Sequence, residues 1–150
     1  MRCRQSSKSI GSARGRVYDL SEVEAGIRVR FLRACPKVRI GWSLRVTPCL
    51  MGKWIAAPEG LPSVVAINRL LDHPRVPRFY LDYIVFHELL HELIPVRREC
   101  GRWVHHPMEF RRMERQFPWI DRALRWEQEN IGRLFEEHLR RFGGRSPWRT

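Results

Sequence analysis

Long apolar runs are missing from this chain. Stretches such as "YIVF" at 83–86 stop far short of the roughly 20 residues that a membrane-spanning helix needs. The first twenty residues, "MRCRQSSKSIGSARGRVYDL", are basic but lack the apolar segment of a secretory signal, so the expected location is the cytoplasm. Close cysteine pairs are missing too. Cys3, Cys35, Cys49 and Cys100 are scattered with no C-x-x-C, which argues against a zinc ribbon or a disulfide framework and for reduced thiols. Lysine is scarce: of 28 basic residues only Lys8, Lys37 and Lys53 are lysine, and the rest are arginine. No segment repeats, which excludes solenoids and propellers.

What is present is one domain's worth of chain. A length of 150 residues can bury a real core without staples, and 43% hydrophobic with 29% charged residues is ordinary globular composition. The formal net charge of +12 is large for this size. Such a chain is drawn to anionic surfaces, whether nucleic acid, acidic lipid or acidic protein segments, with nucleic acid a candidate partner. Arginine-favouring codon usage would give the same composition with no ligand involved. The arginines are spread over the whole sequence and not gathered in one run.

The pattern predicts an α+β fold. Residues 1–16 are Ser, Gly and Arg with almost no apolar side chain, and read as a disordered tail. A helix is predicted over 19–34, capped by Asp19 or Ser21, with Leu20, Val23, Ile27 and Phe31 at helical spacing. Alternation at Val38, Ile40, Trp42, Leu44 and Val46 predicts a strand over 38–46. Two more strands are expected at 52–57 and 63–71, around the turn "PEGLP". From Phe79 to Ile94 the chain is helical, apolar on nearly every side, and ends at Pro95. A loop to His106, a helix started by Pro107 and stopped by Pro118, and a last helix over 119–142 complete a domain of residues 17–142. Residues 143–150 read as a tail.

The buried helix carries "HELLH". His87 and His91 lie four residues apart, so both imidazoles project from one side and can reach one ion. Glu88 stands between them, placed to take a proton from a water on that ion without binding the ion itself. Two imidazoles and a carboxylate on an otherwise apolar helix are costly to bury unless something pairs with them, and a dication supplies that pairing. A catalytic zinc takes three protein ligands and an open position. Glu109, in the first turn of the next helix beside Phe110, Met113 and Phe117, is one candidate for the third ligand. His106, three residues earlier, is the other, and His105 and Glu127 are weaker ones. Whichever of Glu109 and His106 does not bind is expected to flank or orient the site.

The segments "YIVFHELLHELIP" and "VHHPMEFRRMERQFP" resemble the minigluzincins, small zinc peptidases related to the SprT-like group. The likeness in layout spans residues 17–142, with specific residues confined to 83–118. It implies a zincin-like domain, Zn2+ held by His87, His91 and Glu109, Glu88 as general base, and a peptide or protein substrate. SprT-like members place a histidine where His106 stands. It also implies that an edge strand holds extended substrate, and "SVVAINR" at 63–69 is the strand expected to do so. A peptidase acting on nucleic-acid-bound proteins and a non-catalytic zinc-stabilised module are the alternative readings. A fourth ligand from Cys3 or His138 would make a latent form.

Overall fold

The structure, a computed structural model, describes residues 10–142 of the chain. It is α+β, with four helices, a three-stranded sheet and a two-stranded hairpin. Helix α1 spans Leu20–Arg30, and the Asp19 carboxylate caps it by accepting from the Ser21 amide at 2.9 Å. Strands β1 (Arg39–Trp42), β2 (Gly52–Ile55) and β3 (Val64–Ile67) follow. A single 3-10 turn, Arg69–Leu71, leads to α2 (Arg78–Leu93). Then come β4 (Arg97–Glu99), β5 (Arg102–Val104), α3 (Met108–Glu114) and α4 (Ile120–Phe142).

Helix α2 is the centre of the molecule. Every residue from Tyr80 to Phe86 is buried, and so are Glu88 through His91, because α1, α3, α4 and the sheet all pack against it. Leu81, Leu89 and Leu90 are wholly removed from solvent, each worth about 1.5–3 kcal/mol of apolar burial. This is why the helix reads as apolar on nearly every side: it has no solvent face over most of its length.

The sheet order is β1-β3-β2, with β1 parallel and β2 antiparallel to β3. The segment 63–69 therefore supplies the central strand, with a neighbour on each side. The expectation that it offers a free edge to substrate is corrected: the edge strand packed on α2 is β2. Asn68, 3% exposed, ends the sheet and ties it to the loop before β2. Its amide donates to the carbonyls of Thr47 (2.8 Å) and Leu50 (2.9 Å), and its Oδ1 accepts from the Leu70 amide.

The strands and α1 are shorter than the sequence pattern suggests. The alternating run at 38–46 is paired as strand only over 39–42, since β3 offers four partners and then turns. Two further differences matter more. Residues 97–104, expected as loop, form the β4–β5 hairpin, with Cys100 (φ 48°) and Gly101 (φ 77°) in left-handed conformations at its tip. Residues 10–16, expected as disordered tail, are docked. Ile10 bridges Ser43, the Gly11 amide donates to the Trp42 carbonyl at 2.8 Å, and the Asp72 carboxylate accepts from the amides of Arg16, Val17 and Tyr18. Backbone pairing holds this segment where side-chain hydrophobicity gives no hint of it. The remainder of the predicted tails, residues 1–9 and 143–150, lies outside the described residues, as does Cys3.

Candidate metal centre

Helical spacing sets the first two side chains. His87 and His91, on successive turns of α2, have ring centroids 5.2 Å apart. The third arrives through the hairpin. After α2 ends at Leu93, β4 and β5 reverse the chain and return His106 over the same face of the helix. His106 Nε2 stands 3.1 Å from His87 Nε2, and one ring nitrogen from each of His87, His91 and His106 lies within 4.8 Å of the others. Phe110, wholly buried on α3, packs against all three rings, with centroid distances of 5.0, 4.5 and 4.8 Å.

The donor set fits a divalent cation such as zinc. Two imidazole nitrogens about 2.0–2.1 Å from one tetrahedral ion stand about 3.3 Å apart, close to the separation of His87 and His106. A hydrogen bond between those two rings would satisfy them alone. It would leave His91, 6% exposed, with Nδ1 buried and without a partner. One ion among the three rings would engage His91 together with His87 and His106.

Behind His87 stands a carboxylate. Glu114, 5% exposed on α3, holds Oε2 2.7 Å from His87 Nδ1, and the Tyr83 hydroxyl donates to its Oε1 at 3.4 Å. A carboxylate at Nδ1 fixes that nitrogen as the N–H donor and turns the Nε2 lone pair toward His106. Burial raises the Glu114 pKa. The hydrogen bond from His87 and the charges of His87, Arg111 and His106 outweigh that effect, so the carboxyl stays below its ordinary value.

Glu88, 6% exposed, lies against β2. A Cβ on Gly52 would come within 2.6 Å of Glu88 Cγ and Oε1, so glycine at this strand position is what lets the carboxyl in. Burial pushes the Glu88 carboxyl up to about 7, against the lowering effects of the His87 charge and the Trp54 amide hydrogen bond. Trp54 also stacks on His91 at 6.0 Å and donates from its indole to Glu92 at 2.7 Å. Gly52 and Trp54 therefore line the same end of the helix as the histidines.

Glu109 is elsewhere. Its side chain is 54% exposed and pairs with Arg97 of the hairpin at 3.2 Å. The bond from its own amide and the Arg97 guanidinium hold its carboxyl below the usual range. Its expected place among the ligands does not match this geometry, for a helical reason. Pro107 starts α3 with Phe110 inward, and Glu109, one residue away, then faces out. His106, and not Glu109, is the residue that stands with His87 and His91. Glu127 accepts from the Tyr80 hydroxyl at 2.6 Å, away from the cluster, and His105 is exposed. Glu114 was not among the expected site residues, although a glutamate on the Phe110–Phe117 stripe was a legible sign of a buried carboxylate.

In the metal-free chain, burial holds His91 down to about 3 and His106 down to about 4, with neighbouring histidine charge adding to both. Unfolded, each returns to about 6.5. As pH falls below 6.5 the unfolded chain takes up protons that the folded chain refuses, so these two groups withdraw stability on acidification. Glu88 acts with the opposite sign between 4.5 and 7, because there only the folded state holds its proton. Two histidines outweigh one glutamate below about pH 6. Denaturant midpoints measured with chelator at pH 6.5 and 4.5 should therefore fall, and a His91→Gln/His106→Gln double variant should fall less steeply. Parallel curves for the two proteins would assign the pH dependence elsewhere.

Comparison with family models, curated proteins and solved structures finds no match to this chain.

Proposed function

We propose that this chain is a zinc-dependent metallopeptidase, with His87, His91 and His106 as metal ligands and Glu88 as general base. The observation that carries the reading is the convergence of three imidazoles on the helix that also buries Glu88. Tris-imidazole donor sets suit zinc, and among the described residues no fourth histidine, cysteine or carboxylate joins the group. That favours a centre with an open position over the closed site of a purely structural module. His138, the histidine expected alongside Cys3 as a fourth ligand of a latent form, lines a separate cleft with Arg141 and Phe142.

A bound dication supplies Lewis acidity and lowers the pKa of a water toward 7. Glu88 accepts the proton that the attacking water gives up and returns it to the leaving amine. Glu114 keeps His87 in the tautomer that presents Nε2, and Phe110 excludes water behind the rings. Strand β2, at the sheet edge and packed on α2, can align an extended peptide through main-chain hydrogen bonds.

The test is metal analysis and hydrolysis on one preparation. Folded protein supplied with zinc should carry one ion per chain and cleave an unfolded casein substrate. Phenanthroline should abolish cleavage, and added zinc should restore it. Folded protein that takes up no zinc would remove the metal centre. Stoichiometric zinc with no cleavage of unfolded protein would remove the peptidase and leave a binding module.

A further inference from the structure

A cleft of about 700 Å³ opens on another part of the molecule, and none of His87, Glu88, His91, His106 or Glu114 lines it. It lies between the docked segment 11–16, the end of β1, the turn 69–73 and the C-terminal part of α4. Its volume is within the usual range for small-molecule sites. Trp42, Leu70 and Leu134 give it a buried apolar floor, and Phe142 stands exposed at the rim with its ring 4.8 Å from that of His138.

The charge around this floor is unbalanced. Arg14, Arg16, Arg69 and Arg141 line the cleft with only two acids, Asp72 and Glu137. Both acids are engaged elsewhere. Asp72 accepts three backbone amides, at 2.7, 2.9 and 3.0 Å, and Glu137 pairs with Arg75. Arg14, Arg16 and Arg141 form no ion pair among the described residues. His73 Nδ1 accepts from the Arg75 amide at 3.1 Å, which leaves its other nitrogen as a donor. Donors are thus plentiful, and the acceptors are spent on holding the walls. The terminal segments 1–9 and 143–150 contain arginine or lysine and no acidic side chain, so charge does not suit them as occupants.

We propose that this cleft binds a nucleotide phosphate, free or within a single strand of nucleic acid. Arg14, Arg16 and Arg141 meet the phosphate, and the Trp42–Leu134 floor with the Phe142 rim takes the base or sugar. Guanidinium forks match phosphate oxygens in geometry as well as charge. A bare inorganic anion would leave the apolar floor without purpose. A concave cleft suits a splayed nucleotide, which stacks and pairs at once, better than the convex wall of a duplex. The proposal stands apart from the metal centre, and binding is expected with and without zinc.

The test uses the full chain and fluorescence anisotropy of a labelled twelve-residue thymidine oligonucleotide, with AMP, inorganic phosphate and a polyglutamate peptide as competitors. An Arg14→Gln/Arg141→Gln variant should weaken oligonucleotide binding at least tenfold and lower the salt slope by about 1.4. Arg98→Gln/Arg102→Gln in the β4–β5 hairpin, an equal loss of charge, should change it less than twofold. Displacement by AMP would identify a free nucleotide as sufficient. Displacement by unlabelled oligonucleotide alone would place the phosphate within a strand. Equal weakening by both double variants would reduce the effect to general charge and overturn the site. Displacement by polyglutamate at matched charge, or no binding of oligonucleotide or AMP at low salt, would overturn it as well.

Discussion

Glu88→Gln is expected to keep the fold and one zinc per chain while peptide hydrolysis falls by roughly a hundred- to ten-thousandfold. The amide has the shape of the carboxyl and fits the space that Gly52 leaves beside it, where a Cβ would stand 2.6 Å from Glu88 Cγ. The Trp54 amide, which hydrogen-bonds to Glu88, still finds a carbonyl acceptor. Glutamine cannot take a proton from water, so kcat falls while the ligands His87, His91 and His106 are untouched. Stability should hold or rise at pH 8, because burial already disfavours the carboxylate at this position. Zinc content, thermal midpoint and cleavage rate on one preparation decide the matter. Undiminished cleavage would take Glu88 out of the chemistry. Loss of zinc together with activity would make Glu88 a metal-site residue of a different kind.

The second large effect separates the two residues offered as third ligand. His106→Ala should lower zinc affinity by at least about a hundredfold, since it removes one of three imidazoles and leaves an incomplete donor set. Glu109→Ala should leave zinc bound, because that carboxylate is 54% exposed and paired with Arg97. Its cost is one exposed, solvent-screened ion pair, of little consequence for stability. Glu114→Gln falls between the two, at about ten- to a hundredfold in affinity, the usual consequence of disturbing the partner that orients a ligand. Competition against a chromophoric zinc chelator measures all three. The reverse order, with Glu109→Ala losing the ion and His106→Ala keeping it, would reinstate the glutamate as ligand and require α3 to turn on binding.

Much of this arrangement was legible in the chain. His87 and His91 lie four positions apart, and an α-helix converts that spacing into a shared face whatever the rest of the molecule does. The run from Phe79 to Ile94, apolar on almost all sides, told of a helix with no solvent face, and α2 is that helix. Asp19 as a cap, Pro107 before α3 and the α+β order follow from equally local rules.

Choices between distant segments were not legible. Glu109 and His106 are both near enough in sequence to reach the helix. Which one arrives depends on the β4–β5 hairpin and on Phe110 facing inward, and neither is a property of the residue itself. The strand at 63–69 alternates no differently whether it lies at the centre or the edge of a sheet, and only pairing with β1 and β2 makes it central. Residues 10–16 have too little apolar surface to signal order, yet Asp72, more than fifty positions away, holds the end of that segment by its amides. Local spacing determined the helix that presents two imidazoles and a carboxyl. Tertiary packing decided the third imidazole, the carboxylate behind it and the strand beside it, because backbone pairing and side-chain facing across long sequence distances leave no periodic trace in the chain.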